Sequence, residues 1–422
     1  MTRLQKTLLL VIAMCLATQA SVNLILYFRE LSDGSRFGGD FICFWNAANR
    51  VRHGEIAAIY DPDTWQRVLS ANTTDVISWF VYPPFMLFGL WLLGDATYNE
   101  AVLAWSLVPL ACYLVLVVLL AKRSGLGDGE KGWARAQAYA ILIAFALPFL
   151  SANLFSGQTG ALTAAFFLGA AYFWPTRPVL AGICVGLLAI KPQLGLLLPF
   201  ALLASGQSRI VVAAATTILS LIVLSTIWLG AAIWTDYLRM TQLYGQLVGR
   251  GYDQVQQLFV GPYVSLQGAG MPAALAASLQ DVISIAVVTV IVQVFWSHNR
   301  ERAEDGRLDL RVALLAAGTL LATPYAFSYD TPLLILSIIP LLARSWRDGW
   351  DGIELASVAA LLVAPYAQLL AAGSHVPFAF AALLLWFGVL YRRYQKEAPG
   401  AAAWPAIPGY GDALPARRTD AI

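Results

Sequence analysis

Apolar runs recur over about 8–28, 99–121, 134–153, 159–175, 209–230, 277–297 and 352–372, each bounded by Lys/Arg, Pro or Gly. A bilayer core needs roughly 20 apolar residues per helical crossing, and most of these runs meet that length. Backbone N–H and C=O groups in lipid have no water to bind, so a spanning segment must satisfy them internally, as a helix or a closed barrel. A barrel needs alternation over segments of about ten residues, whereas these runs are continuously apolar. With 59% hydrophobic and 12% charged residues and a mean hydropathy of +0.66, the expected fold class is all-α, a polytopic membrane protein.

Two longer apolar stretches are broken. Residues 178–205 are too long for one comfortable crossing and are interrupted at Lys191-Pro192 by a charge and a helix breaker. They read as two short helices with Lys191 at the shared tip. Residues 310–343 break in the same way at "TPYAFSYDTP" (323–332), and a last run, 376–391, ends at Tyr391-Arg392-Arg393.

Short loops rich in Lys/Arg stay cytoplasmic. The basic segments are the N-terminus (Arg3, Lys6), 122–135, 298–311, Arg344/Arg347 and the tail. They share one side only if "YPPFMLFGLWLLG" (82–94) does not cross. At about 13 residues, or roughly 20 Å of helix, it is too short to span and is expected along the membrane surface. The outcome is about 12 transmembrane helices with both termini inside. The loop 29–98, the turn 153–160, the Lys191 tip, the turn 323–330 and a loop over 231–276 then face outward. An alternative in which 82–94 crosses and 178–205 is one helix has the same number of spans, but it places four basic residues outside and buries Lys191 mid-membrane.

Residues 1–395 read as one integral membrane domain, and 396–422, rich in Pro, Gly and Ala, as a disordered cytoplasmic tail. Residues 8–28 lack a small-residue cleavage motif and are expected to be retained as the first span. Cys15, Cys43, Cys112 and Cys184 are scattered over three spans and one outward helix, so neither a disulfide framework nor a metal site is expected from them. The net charge of +2, spread over the cytoplasmic edges, gives no support for nucleic-acid binding.

Asp40 follows Gly38-Gly39 and precedes a helix in which Phe41, Phe44, Trp45, Ala48 and Val51 recur on one face while Asn46, Asn49, Arg50 and His53 take the other. Such a helix is expected to lie in the interface, apolar side down. Asp40 has two compatible readings: a favoured N-cap, or a carboxylate that takes a proton from a substrate hydroxyl. Asp61 and Asp63 in "YDPDTW" suit a solvated turn or a second N-cap. Lys191, an ionisable group in an apolar run, is either a binding site for an anion such as a lipid phosphate or a side chain that snorkels to the headgroups. Asn153, Gln158, Tyr325, Tyr329 and Asp330 sit at outward helix ends, where ordinary loop polarity also accounts for each one.

In order, the Asp after the first span, the amphipathic helix, "YPP" at 82–84, "GQ" at 157–158, "KPQ" at 191–193 and the "PYAFSYD" turn resemble glycosyltransferase family 87. This family of C-type glycosyltransferases includes a mycobacterial polyprenyl-phosphate-mannose-dependent mannosyltransferase, and the similarity runs over roughly 8–395. The resemblance implies a GT-C-like fold in the cytoplasmic membrane that acts on its outer face. The expected reaction is inverting transfer of a hexose, mannose first, from a polyprenyl-phosphate donor to a glycolipid or glycan acceptor, with no metal and no cofactor. Asp40 then matches the general base and Lys191 the donor-phosphate site, with Gln158, Tyr329 and Asp330 beside the donor. Asn46, Tyr82, Asn153 and Tyr325 fall beside the sugar or acceptor. The family's late-span motif tends to end in histidine, whereas Tyr329-Asp330 stand there in this chain, so that contact is not carried over.

The main rivals are a lipid or solute transporter or flippase, and an outer-face ligase or acyltransferase on another lipid carrier. Transporters often pair broken helices within inverted repeats. The breaks at 191 and 324 have no matching halves around them. The charge count predicts that a cysteine placed at Gly127 will not react with an impermeant thiol reagent added outside intact cells. Efficient outside labelling there contradicts the topology.

Overall fold

The computed structural model describes residues 39–70, 79–126, 148–249, 258–301, 307–349, 351–370 and 375–397, most of 137–145, and scattered helical positions within 10–28. The predicted tail from 398, the Gly127 loop and parts of the first span lie outside the described residues.

The protein is an all-α polytopic membrane protein. Its helices are α1 (Phe41–Arg52), α2 (Pro62–Ser70), α3 (Leu87–Trp91), α4 (Tyr98–Arg123), α5 (Pro148–Ser156), α6 (Gly160–Phe173), α7 (Pro178–Leu187), α8 (Leu198–Ala204), α9 (Ser208–Leu229), α10 (Ala232–Gly249), α11 (Pro262–Gly268), α12 (Ala273–Glu301), α13 (Leu308–Ala322), α14 (Ile335–Asp348), α15 (Gly352–Leu370) and α16 (Phe378–Lys396). Among the described residues the only β-type pairing is an isolated bridge between Phe259 and Phe327. Tyr98–Arg123, Ser208–Leu229 and Ala273–Trp296 are long and apolar enough to cross a membrane, and Gly160–Phe173, Pro178–Ile190, Pro192–Ala204 and Gly352–Pro365 are shorter apolar helices.

Both expected breaks are present. After α7 the chain passes through short 3-10 turns at Leu188–Ile190 and Pro192–Gly195, with Lys191 between them in a non-helical conformation. Between α13 and α14 it forms a 3-10 segment, Ser328–Leu334. The outer faces of α7 and α9 stay apolar, as lipid contact requires, while their shared seam uses small residues. A Cβ on Gly182 would lie 2.4 Å from the Ala213 Cβ, and one on Gly186 would lie 2.5 Å from that of Thr217. This is the close backbone approach typical of small residues spaced by four in membrane helices.

Two apolar cores result. One fills the bundle, with α13 and the start of α14 buried on nearly every side. The other is an aromatic cap built from described residues of 41–65 and 79–102 over α9 and α10. Here the structure departs from the expected interfacial helix. Phe41, Ile42, Cys43, Phe44, Asn46, Ala47, Ala48 and Val51 of α1 are all buried, so the helix sits inside the cap. Phe44 stacks on Trp105 at 4.8 Å, and Phe41 meets Tyr98 edge-on at 5.6 Å. The moment of α1 is directed at protein because α4 supplies an aromatic partner surface that sequence spacing does not reveal. The expected surface helix at 82–94 reduces to a 3-10 turn and the five residues of α3, with Leu87 and Leu90 buried beneath the cap.

At the opposite end, buried Arg344 is bound by Asp309 (2.7 Å) and Glu397 (3.0 Å). Arg393 joins Glu397 at 2.8 Å and also contacts Asp348 and Glu354. Asp309, Arg344, Asp348, Glu354, Arg393 and Glu397 thus form one ionic network among the described residues.

Gly160 starts α6 against the Ser328–Leu334 turn. A Cβ there would fall 1.7 Å from the Tyr329 carbonyl oxygen. Gly160→Ala should lower the thermal unfolding midpoint in detergent, since overpacking costs about 1–3 kcal/mol. Gly388→Ala, where nothing lies within 4 Å, should leave the midpoint unchanged or raise it slightly. Equal behaviour of the two variants contradicts this contact.

Candidate active site

Asp40 stands at the N-cap position of α1, yet its side chain makes no capping hydrogen bond. Its backbone N–H donates to the Ser156 carbonyl at 2.9 Å, which pins the start of α1 to the end of α5. The carboxylate turns the other way and accepts from Gln158 Nε2 at 2.9 Å. Gln158 belongs to a stiff turn. Asn153 Nδ2 donates to the Gln158 carbonyl (2.9 Å), Asn153 Oδ1 accepts from the Ala161 N–H (3.1 Å), and Trp105 Nε1 donates to the Gly157 carbonyl (2.9 Å). Gly157 adopts φ +65°, a left-handed conformation that a glycine takes without strain.

Tyr82, fixed by the prolines of "YPP", carries the network onward. Its hydroxyl donates to Gln158 Oε1 at 3.0 Å and lies 3.2 Å from Thr159 Oγ1. The Tyr82 carbonyl accepts from the Tyr60 hydroxyl at 2.6 Å. Burial raises the Asp40 pKa above its ordinary value of 3.8, while the Gln158 hydrogen bond and the Lys191 charge pull against that rise. Desolvation makes the carboxylate a stronger base, and the amide keeps its charged form populated.

Lys191 does not snorkel. It is 5% exposed, and its Nζ donates to Asp330 Oδ1 at 2.6 Å. The other Asp330 oxygen accepts from the Phe327 N–H at 3.2 Å. Lys191 Nζ also lies 4.7 Å from the centre of the Tyr329 ring and 6.0 Å from that of Tyr82. Tyr329 stacks on Phe327 at 4.7 Å, and Phe327 packs on Phe259 at 4.0 Å. Thr323 Oγ1 donates to the Gln193 carbonyl at 3.0 Å and ties the two helix breaks together a second time.

Asp40, Gln158, Tyr82, Lys191, Tyr329 and Asp330 thus gather in one polar cluster, with Tyr82 between its two halves. Asn153 is buried behind it and spends both ends of its amide on the turn. Asn46 is buried in α1 and donates to the Ile42 carbonyl at 2.8 Å. Tyr325 stands to one side, edge-on to Tyr263 at 5.8 Å. Tyr60 and Thr159 also belong to the network, and the sequence offered only the aromatic start of "YDPDTW" and the residue after "GQ" as signals for them. Among the described residues no group of His, Cys, Asp and Glu is arranged to hold a metal ion.

A family model described as glycosyltransferase family 87 matches residues 80–324, more than half of the chain. The chain belongs to glycosyltransferase family 87. It is therefore an enzyme that transfers sugar. The matched stretch of this family 87 chain contains Tyr82, Asn153, Gln158 and Lys191; Asp40 precedes it and the Tyr325–Asp330 turn follows it. No curated protein and no solved structure matches the chain significantly.

The pair Lys191–Asp330 changes what a single substitution tests. Removing one partner leaves the other charge buried alone, which costs about 3–5 kcal/mol. Lys191→Met should therefore destabilise the protein by about that much, and the double variant Lys191→Met/Asp330→Leu should recover most of the loss. Thermal unfolding of the three proteins in one detergent checks this. A double variant no more stable than Lys191→Met contradicts the pairing.

Proposed function

We propose that this family 87 enzyme transfers a hexose, mannose in the first instance, from a polyprenyl-phosphate carrier to a hydroxyl of a glycolipid or glycan acceptor. Transfer proceeds with inversion, at the extracytoplasmic face of the cytoplasmic membrane, and without a metal ion. The observation that carries the reading is the Asp40 carboxylate, which leaves the N-cap unused and turns toward Gln158 in the cluster that holds Lys191.

The acceptor oxygen forms a bond to the anomeric carbon while the bond from that carbon to the carrier phosphate oxygen breaks. The electron pair stays on the phosphate, and the hydroxyl proton passes to Asp40. A sugar hydroxyl is a poor nucleophile, and a carboxylate that removes its proton as the bond forms contributes about 10²–10⁴-fold. The leaving phosphate gains negative charge, which a nearby ammonium stabilises most in the transition state. Lys191 supplies that ammonium. Asp330 is its counter-ion, as a buried cation requires. Assembly from helix ends suits a substrate whose prenyl tail lies in lipid while its sugar reaches water.

Purified enzyme and labelled polyprenyl-phosphate-mannose test the proposal. Asp40→Asn keeps the size of the side chain and should lower turnover by about 10²–10⁴-fold with donor binding retained. Asp40→Glu, which moves the carboxylate by about 1 Å, should lose roughly 10²-fold. A chelator should leave the rate unchanged. Turnover by Asp40→Asn within a few-fold of the parent rules out Asp40 as base, and no transfer from any polyprenyl-phosphate hexose rules out the donor class.

A further inference from the structure

Beside the cluster, the C-terminal end of α1, the start of α2 and α10 enclose an open cleft of about 960 Å³ that the catalytic reading leaves unused. That is near the upper end of the roughly 300–1,000 Å³ usual for ligand pockets. Its polar walls bear Arg50, Glu55 and Asp61 on one bank and Asp236 and Arg239 on the other, with Tyr60 between them. Resting on the transferase reading, we propose that this cleft seats the sugar chain of the acceptor, an uncharged oligosaccharide of more than one ring.

Charge decides the class of occupant. Arg50 pairs with Glu55, and Arg239 lies 3.6 Å from Asp236, so each guanidinium already has its carboxylate. With Asp61 the named lining holds three carboxylates against two guanidiniums. Such a surface does not favour a phosphate or a nucleotide, and a prenyl chain has no reason to enter it. Sugar hydroxyls fit because each both donates and accepts. A single hydroxyl can give its proton to a carboxylate while it accepts from the neighbouring guanidinium.

Position supports the same occupant. Tyr60 sits at the cleft, its ring edge-on to Tyr237 of α10 at 5.8 Å, and its hydroxyl donates to the Tyr82 carbonyl. Tyr82 in turn binds Gln158, which binds Asp40. The cleft and the base are thus connected through three hydrogen bonds. Arg50 and Asp40 are ten positions apart along α1, about 15 Å at 1.5 Å per residue. An acceptor held at the Arg50 end must extend over that length to present a hydroxyl to Asp40, which a monosaccharide does not do.

The test is binding, measured by calorimetry on the full-length protein in detergent with neutral trisaccharides of mannose and of glucose, the corresponding monosaccharides, and inorganic phosphate. At least one trisaccharide should bind more tightly than its monosaccharide. Arg50→Ala and Arg239→Ala should each weaken it about tenfold, the loss of one charge-assisted hydrogen bond. Arg239 is exposed and Arg50 half-buried, so thermal unfolding of each variant beside the parent checks that it is folded. The inference is overturned if neither trisaccharide binds, if monosaccharides bind equally well, if the arginine variants bind unchanged, or if phosphate displaces the sugar. These outcomes are separate from the base assignment. A trisaccharide held through the arginines in a protein that makes no transfer from polyprenyl donors leaves the cleft standing and removes the donor reading.

Discussion

A charge withdrawn from water has to find its counter-charge, and in this protein that requirement is met by Lys191 and Asp330. One lies at the break between α7 and α8, the other at the break between α13 and α14. Neither break is stable as apolar helix, because each contains a proline and a polar side chain. Together they close on one another, with the Thr323 hydroxyl on the Gln193 carbonyl as a second tie. The Asp330 turn then receives α6, whose Gly160 lies against the Tyr329 carbonyl with no room for a side chain. The Gln158 turn is placed by that contact, and the carboxylate of Asp40 by Gln158. The geometry of the site thus combines this ion pair with the hydrogen bonds of Asn153 and Trp105 that stiffen the Gln158 turn.

The aromatic cap solves a different problem. Residues 41–102 are too apolar for a solvated loop and too interrupted to span. The described residues of this segment, 41–70 and 79–102, bury much of their apolar surface against α4, α9 and α10, with Phe44 stacked on Trp105 and Phe88 on Trp228. The cap holds Tyr60 and Tyr82 in place, and through them it joins the cleft to Asp40. A sugar transferase gains from this arrangement, since misplacement of a reacting group by about 1 Å can cost roughly 10²-fold in rate.

Much of this was legible in the sequence, for identifiable reasons. Helix breaks were readable at Lys191-Pro192 and over 323–332, because a charge and a proline inside an apolar run have few alternatives. The gathering of Asp40, Gln158, Lys191 and Asp330 at one end followed from counting basic loops. Other features were not legible. The spacing of α1 shows that it has an apolar face but does not say whether lipid or protein covers that face, and the aromatic surface of α4 that covers it is far away in sequence. Asp40 as cap or as free carboxylate is a matter of side-chain rotation, which residue order does not encode. Lys191 offered an anion or the headgroups as partners. Its actual partner, Asp330, is separated from it by 139 positions.

The central claim is that the Asp40 carboxylate, raised by burial and held by Gln158, removes the proton from the acceptor. The pH dependence of turnover at saturating donor, for the parent and for Gln158→Leu, tests it most directly. A base works only when ionised, so the rate should fall as pH drops through an apparent pKa above the ordinary 3.8. Gln158 stabilises the ionised form, so its loss should move that limb to still higher pH. A limb at the ordinary carboxylate value, or one that Gln158→Leu leaves in place, contradicts the account.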